Sequence, residues 1–245
     1  FSNKINNFMK IIIFGTGNYV TGRGTEQYGT ILPAIYEFSK DNKVEEIIVV
    51  ATTVNSKNKA NKKIIKISNL SKQKNKIKII LNKNINNFLK NYSRNNPGLK
   101  CSIIATPDHT HFKIAQACFK NSFHCLIVKP AVTNSQDLNK LIKIANSKNV
   151  YGAVEFHKRF DRQAKILKDK YREGFIGDPL YTWTEYSQKK IVPEKFFKSW
   201  VSRNNVFQYL GIHYVDLIRF ITGSIPVSVM ALGQKNYLNR KKLKT

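Results

Sequence analysis

Met9-Lys-Ile-Ile-Ile-Phe14-Gly15-Thr16-Gly17 is the stretch on which the reading of the whole chain turns. A β-branched apolar run that stops on Gly-x-Gly reads as a buried strand feeding a tight turn and a helix N-terminus. Backbone N–H groups can receive a phosphate there. Gly15 permits the turn and Gly17 the close approach, with Thr16, Asn18 and Tyr19 in the same loop. The third glycine of G-x-G-x-x-G is absent. Val20 holds its place and Gly22 follows two residues later, so the loop alone is a weak signal and its position after the first strand carries the weight.

Working outward, similar apolar runs recur at residues 47–51, 78–81, 101–105, 125–128 and 150–156. Helical patterns fall between most of them, at residues 28–39, 85–92, 110–121 and 135–147. Residues 51–76 are rich in Lys, Asn and Ser and predict a solvated helix and loop. Repeated β-α units predict an α/β fold, a Rossmann-type doubly wound parallel sheet over residues 9–158. Beyond Arg159 the alternation ends. A helix is expected at residues 162–172, an aromatic strand at 179–186, an irregular stretch with Pro193 and Trp200, a long helix at 206–222 and a strand at 227–232. That order predicts an α+β second domain over residues 159–245. Its ending, Lys-Lys-Leu-Lys-Thr directly after a strand-like run, is expected to leave that domain incomplete.

Three loops at strand ends are the candidates for chemistry. No acidic residue lies between Glu46 and Asp108, so the carboxylate that holds an NAD ribose after the second strand is missing. Thr53, Ser56 and Lys57 stand there instead, and hydroxyls beside a cation suit a 2′-phosphate, which favours NADP over NAD. After the fourth strand comes Ile104-Ala-Thr-Pro-Asp-His-Thr-His111. Thr106, Pro107 and His111 are read as cofactor contacts, because ligands gather beyond the carboxyl ends of such strands. His109 and His111 lack the extra ligand that a metal site needs, and no metal is expected. After the fifth strand, Lys129-Pro130 closes an apolar run. A lysine there is placed to contact the cofactor and to donate or relay a proton.

The chain of 245 residues carries 42 Lys plus Arg against 15 Asp plus Glu, a net charge of +27. Nucleic acid, an anionic membrane and an acidic substrate are the partners that such charge brings to mind. Joint enrichment in Lys, Asn and Ile is also what AT-rich coding produces. From Lys57 to Lys100 there are 13 basic residues with no acid among them, on the side where the adenosine end of a cofactor belongs. No aromatic-basic motif, helix-turn-helix or zinc spacing supports nucleic-acid binding, and no apolar run reaches the ~20 residues of a membrane span. Residues 1–8 lack the apolar core of a signal peptide. Cys101, Cys118 and Cys125 show no paired spacing, so a cytoplasmic protein with reduced thiols is expected.

Taken together, Gly15-Thr-Gly17, Ala105-Thr-Pro-Asp-His-Thr-His111, Val128-Lys-Pro130, Glu155-Phe-His-Lys-Arg-Phe-Asp161 and Gly211-Ile-His213-Tyr-Val-Asp216 resemble the Gfo/Idh/MocA oxidoreductases. The resemblance runs over nearly all of the chain from Met9. It implies a Rossmann domain followed by a domain with a large, mostly open sheet. It also implies hydride transfer between NAD(P) and a carbinol or ketone of a sugar, polyol or related compound. Lys129 would then match the lysine of the family's Glu-Lys-Pro motif, with Val128 in place of the glutamate. His213 would match the histidine of its Asp-x-x-x-His motif, with Tyr209 in place of the aspartate.

Lys129, His213 and Tyr209 are thus the catalytic candidates. Lys129, Glu155, His157, Arg159, Tyr209 and His213 are the substrate-binding ones, and Asp216 is placed to orient His213. Tyr209 and His213, four apart, would share a helix face. Tyr181, Trp183 and Tyr186 read as sheet packing. A homodimer or tetramer of the full-length protein is what the resemblance implies. Val20, Val128 and Tyr209 motivate a rival reading, a non-catalytic nucleotide or sugar sensor that keeps the Rossmann unit.

Overall fold

The structure is a computed structural model that describes residues 8–71, 77–196, 198, 201–203 and 205–234. Trp200, residues 1–7 and the end of the 51–76 segment lie outside the described residues. The chain divides into two compact units, Phe1–Val154 and Glu155–Thr245.

In the first unit β1 (Met9–Phe14), β2 (Val44–Ala51), β3 (Ile77–Leu81), β4 (Lys100–Ile104), β5 (His124–Val128) and β6 (Gly152–Glu155) lie in the order β3-β2-β1-β4-β5-β6. β1 pairs in parallel with β2, Ile12 opposite Ile48, and with β4, Ile12 opposite Ser102. Between them run α1 (Asn18–Thr21), α2 (Ile31–Asp41), α3 (Val54–Ser71), α4 (Ile85–Asn95), α5 (His111–Lys120) and α6 (Ser135–Ser147). The expected doubly wound sheet is formed.

Two-residue periodicity sorts the strand side chains into two cores. Ile12, Phe14, Ile48, Val50 and Ile104 pack with Leu89 of α4, Phe119 of α5 and Leu141 of α6. Ile11, Ile13, Ile47, Val49 and Ile103 pack with Leu32 and Ile35 of α2 and with Ile64 and Ile67 of α3. Each such side chain removed from water contributes roughly 1.5–3 kcal/mol. Both faces are covered, so the strands read as continuous apolar runs and not as an alternation.

α3 takes up Val54–Ser71 of the segment in which a solvated helix and loop were expected. Only Ala60, Ile64 and Ile67 are buried, a stripe one residue wide at i, i+4, i+7 that the surrounding Lys and Asn mask. Its start is secured by a reciprocal pair. Ser56 N–H donates to Thr53 Oγ1 (3.1 Å) and Thr53 N–H to Ser56 Oγ (3.3 Å).

The second unit holds a 3₁₀ turn (His157–Phe160), α7 (Arg162–Arg172) and α8 (Ile212–Thr222). α7 falls where it was expected. The long helix expected over 206–222 instead opens with a π-type turn, Phe207–Gly211. There a Cβ on Gly211 would stand 2.5 Å from the Phe207 ring, so any other residue at 211 would require that exposed ring to move. The strands expected at 179–186 and 227–232 are not formed among the described residues. Tyr181 and Trp183 are each 85% exposed and Val227 97%, which also removes the packing role read for Tyr181 and Trp183. Tyr186 meets the Tyr214 ring at 5.9 Å. An apolar, β-branched segment becomes a strand only when a neighbour takes its N–H and C=O groups, and no described segment of this unit does so. No helix among the described residues is long and apolar enough to cross a membrane.

Candidate functional site

The strand order reverses direction between β1 and β4, and a crevice opens beyond the carboxyl ends of strands at such a point. Gly15 leaves β1 with φ +115°, and a Cβ there would stand 2.2 Å from the Ala105 carbonyl oxygen at the end of β4. Only glycine permits both the backbone and the approach. Nothing lies within 4 Å of where a Cβ on Gly17 would be, so this side of the turn is open to a phosphate group. Thr16 is buried, while Asn18 and Tyr19 begin α1. The residues present therefore fit a dinucleotide pyrophosphate.

The turn is held by a residue that the sequence reading missed. Thr21 is fully buried, and its hydroxyl lies 3.2 Å from the Gly17 carbonyl and 3.3 Å from that of Thr16 while accepting from Arg23 N–H. A threonine four residues after the second glycine was the available signal. Lys63 was missed as well. From α3 its Nζ donates to the carbonyls of Thr25 (2.7 Å) and Gln27 (2.8 Å), tying down the loop after α1. No local pattern could have announced a contact 38 residues away.

At the end of β2, Thr53 is exposed and Lys57 half-buried. The hydroxyls of Thr53 and Ser56 serve the α3 cap. At the end of β4, Thr106 Oγ1 and Thr110 Oγ1 are 2.7 Å apart, and Thr110 Oγ1 also donates to the Pro107 carbonyl (2.7 Å), which closes the loop. His111, read as a cofactor contact, is corrected. It is fully buried, with Nδ1 2.8 Å from the Pro130 carbonyl and Nε2 2.8 Å from that of Thr106, so no ring nitrogen remains to touch a cofactor. Lys129 and Pro130 follow β5 and are both buried, Lys129 being 8% exposed. Because β1, β4 and β5 are neighbours in the sheet, the glycine turn, the Thr106 loop and Lys129 share one edge. Among the described residues no group of three His, Cys, Asp or Glu side chains could hold a metal.

In the second unit His213 sits in the first turn of α8, 4% exposed. The His157 ring approaches it edge-on at 4.7 Å between centroids, and Phe156 lies beyond at 6.3 Å. His157 Nδ1 is 3.0 Å from Glu155 Oε1, so these three predicted residues do come together. Asp216, expected to orient His213, turns elsewhere. Both its oxygens accept from Arg159, Oδ2 from Nε at 2.7 Å and Oδ1 from Nη2. The bond to Asp216 raises the Arg159 pKa further, and its guanidinium also stacks over Phe156 and Phe220. Arg159 thus braces α8 against the turn that precedes α7. Tyr209 lies in the π-type turn, where its N–H donates to Asn205 O (3.0 Å).

Residues 9–156 match the model of an oxidoreductase family with an NAD-binding Rossmann fold, GFO_IDH_MocA, and residues 165–242 match the GFO/IDH/MocA C-terminal domain. Among curated proteins the chain is 32% identical over 130 residues to UDP-N-acetylglucosamine 3-dehydrogenase of Acidithiobacillus ferrooxidans, covering 53% of this chain and 38% of that protein. It is 28% identical over 137 residues to myo-inositol 2-dehydrogenase of Thermotoga maritima, covering 56% and 40%. Matched stretches therefore span well under two thirds of these relatives. Among solved structures, myo-inositol 2-dehydrogenase of Lactobacillus plantarum superposes with a TM-score of 0.64 at 18% identity, over 88% of this chain and 57% of that one. That last likeness speaks for the fold.

Proposed function

The chain belongs to the GFO/IDH/MocA oxidoreductase family, and from that premise we propose that it is an NAD(P)-dependent dehydrogenase acting on a hydroxyl of a sugar, polyol or related carbinol, or on the matching ketone. One observation carries the reading. The open Gly17 turn and the buried Lys129 lie along the same carboxyl edge of the sheet, beyond β1 and β5. A pyrophosphate-binding turn and a cation withdrawn from water are the two things that such a reaction asks of a nucleotide-binding unit.

When bound, the nicotinamide accepts or supplies the hydride. The residues of the chain handle the proton. In the direction of oxidation, the C–H bond breaks with its electron pair and the hydroxyl O–H loses its proton. The Lys129 ammonium hydrogen-bonds the carbinol oxygen and stabilises the charge that develops on it. His213, within the second unit, is the other group of the chain suited to exchange a substrate proton. Lys129 and His213 are both nearly withdrawn from water, which strengthens each polar contact they make. Tyr209, Glu155 and His157 offer hydroxyl, carboxylate and imidazole groups to the remaining substrate hydroxyls. Arg159 offers the N–H groups not engaged by Asp216.

NADP is favoured over NAD. β2 ends without an acid, in a helix start carrying Thr53, Ser56 and the half-buried Lys57. The same reading includes a cytoplasmic protein that assembles as a dimer or tetramer at full length and binds neither nucleic acid nor membrane. The test is nicotinamide fluorescence with NADPH and NADH, followed by turnover on a panel of sugars and polyols. Lys129→Ala is expected to lower kcat by about 10²–10⁴-fold while leaving the dissociation constant of the nucleotide within a few-fold. Nucleotide binding without turnover on any panel member, and without effect of Lys129→Ala, would overturn the reading in favour of a sensor.

A further inference from the structure

The chain leaves the glycine turn through a closed loop. α1 lasts a single turn and ends at Gly22, which adopts φ +70°, so it lacks the aligned peptide dipoles that a long helix offers an anion. Residues 22–29 then bulge out before α2 begins. Thr30 N–H donates to the Tyr19 carbonyl (2.8 Å) and Thr25 N–H to that of Gly22 (3.1 Å). A Cβ on Gly22 would stand 1.8 Å from the Gln27 carbonyl oxygen, and one on Gly29 2.7 Å from that of Asn18, so both ends of the loop are seated against backbone. Arg23 stands at its start. It is half-buried, and its N–H donates to the Thr21 hydroxyl (3.2 Å), which is itself 3.2 Å from the Gly17 carbonyl. One bridging hydroxyl therefore separates the Arg23 backbone from that of the open glycine. Burial draws the Arg23 pKa down. Among the described residues no carboxylate pairs with its guanidinium, the exposed Glu26 of the same loop included. A cation partly withdrawn from water is unfavourable until an anion meets it.

We propose that Arg23 is the cation that binds the pyrophosphate of the cofactor, carried to the glycine turn by the 22–29 loop and kept in place by Lys63. This rests on the nucleotide-binding part of the dehydrogenase reading and not on the choice of sugar or polyol. Thr16, Gly17, Asn18 and Tyr19 bring no charge to the turn, whereas a pyrophosphate is anionic. A guanidinium presents planar N–H donors that match phosphate oxygens, and it sheds water more readily than an ammonium. Lys63 commits its own donors to the Thr25 and Gln27 carbonyls and lies over the Tyr28 ring. It therefore acts through the loop, as a positioning residue. The two cations of this region then divide the anionic groups, Arg23 taking the pyrophosphate common to NAD and NADP and Lys57 the 2′-phosphate of NADP alone.

Fluorescence titrations of NADPH and NADH against the whole chain test the assignment. Arg23→Gln, confirmed folded by circular dichroism, is expected to raise both dissociation constants about 10–100-fold and to flatten their rise with salt. Arg23→Lys keeps the charge and loses the fork, and its affinities should fall between. Lys63→Met frees the loop and is expected to weaken both nucleotides several-fold. Added to Arg23→Gln it should change little more, because both act on one contact. A weakening by Arg23→Gln confined to NADPH would overturn the pyrophosphate assignment and give Arg23 to the 2′-phosphate. Equal affinities of the native and Arg23→Gln chains for both nucleotides would overturn it outright, and full additivity of the two substitutions would overturn the positioning role of Lys63. A native chain that binds nucleotide through Arg23 but turns over no sugar or polyol defeats the dehydrogenase reading and upholds this one. A native chain that binds neither nucleotide defeats both.

Discussion

Ile12 and Ile13 in β1 are fully buried, whereas Val229 and Leu232 in the second unit are 85% and 96% exposed. The segments they belong to share a chemistry: short, apolar and rich in strand-forming residues. In the first unit β2 and β4 flank β1 and take its hydrogen bonds, and helices close both faces. Residues 227–232 have no such neighbour among the described residues. Strand character in a sequence is a demand for partners and not a guarantee of them. A parallel sheet with helical crossovers carries its partners within the same ~150 residues, so its demand is met locally. A sheet assembled from distant segments cannot be completed from a single run.

The sharpest way to break this comparison is a pair of truncations. Ile12→Ala is expected to destabilise the first unit by about 2–5 kcal/mol, the range for a buried aliphatic side chain that leaves a cavity. Val229→Ala is expected to change stability by less than about 0.5 kcal/mol. Hydrogen exchange read separately over the two units would check it. An equal effect at the two sites would mean that residues 227–232 are buried after all.

The fold of the first unit was legible because β-branched runs and helical stripes repeat at short intervals. α3 was read less well because its buried stripe is a single line of three residues, Ala60, Ile64 and Ile67, among Lys and Asn neighbours. The places of the glycines and of Lys129 were legible, since strand ends announce themselves. What was not legible was where a side chain serves the backbone. His111 looked like a ligand contact and its ring lies between the carbonyls of Thr106 and Pro130, and Asp216 looked like a partner of His213 and bonds Arg159. Thr21 and Lys63 are held by carbonyls that sequence spacing does not reveal. Histidines, acids and lysines are read from sequence as reagents, yet in these loops they also satisfy backbone groups that would otherwise be buried without partners.

A smaller effect tests whether the glycine turn belongs to the packed region or only adjoins it. Gly15→Ala places a methyl group on a left-handed backbone against the Ala105 carbonyl. The expected cost is about 1–3 kcal/mol in the first unit, together with loss of nucleotide binding. Thermal unfolding and nicotinamide fluorescence measure the two. The second unit should show no change in exchange. If nucleotide binding survives at native affinity, the turn is not the phosphate site.

The smallest effect concerns the amino end of the sheet, remote from the chemistry. Burial works to raise the Glu46 pKa, but hydrogen bonds from Lys78 (2.8 Å) and the Tyr92 hydroxyl (2.6 Å) outweigh it and hold the carboxyl below its ordinary value. Its own burial, and then the same contact, push the Tyr92 phenol up. A folded-state carboxyl pKa below the unfolded one stabilises the protein above the unfolded value, and that contribution is lost as pH falls through the lowered one. Glu46→Gln should therefore cost under about 1 kcal/mol at neutral pH and flatten the loss of first-unit stability as pH falls below the ordinary carboxylate range. Denaturant unfolding at a series of acidic pH values measures it. A variant whose acid slope matches the native one would show that Glu46 does not link β2 to α4 in solution, and that the packed region owes its cohesion to its apolar faces alone.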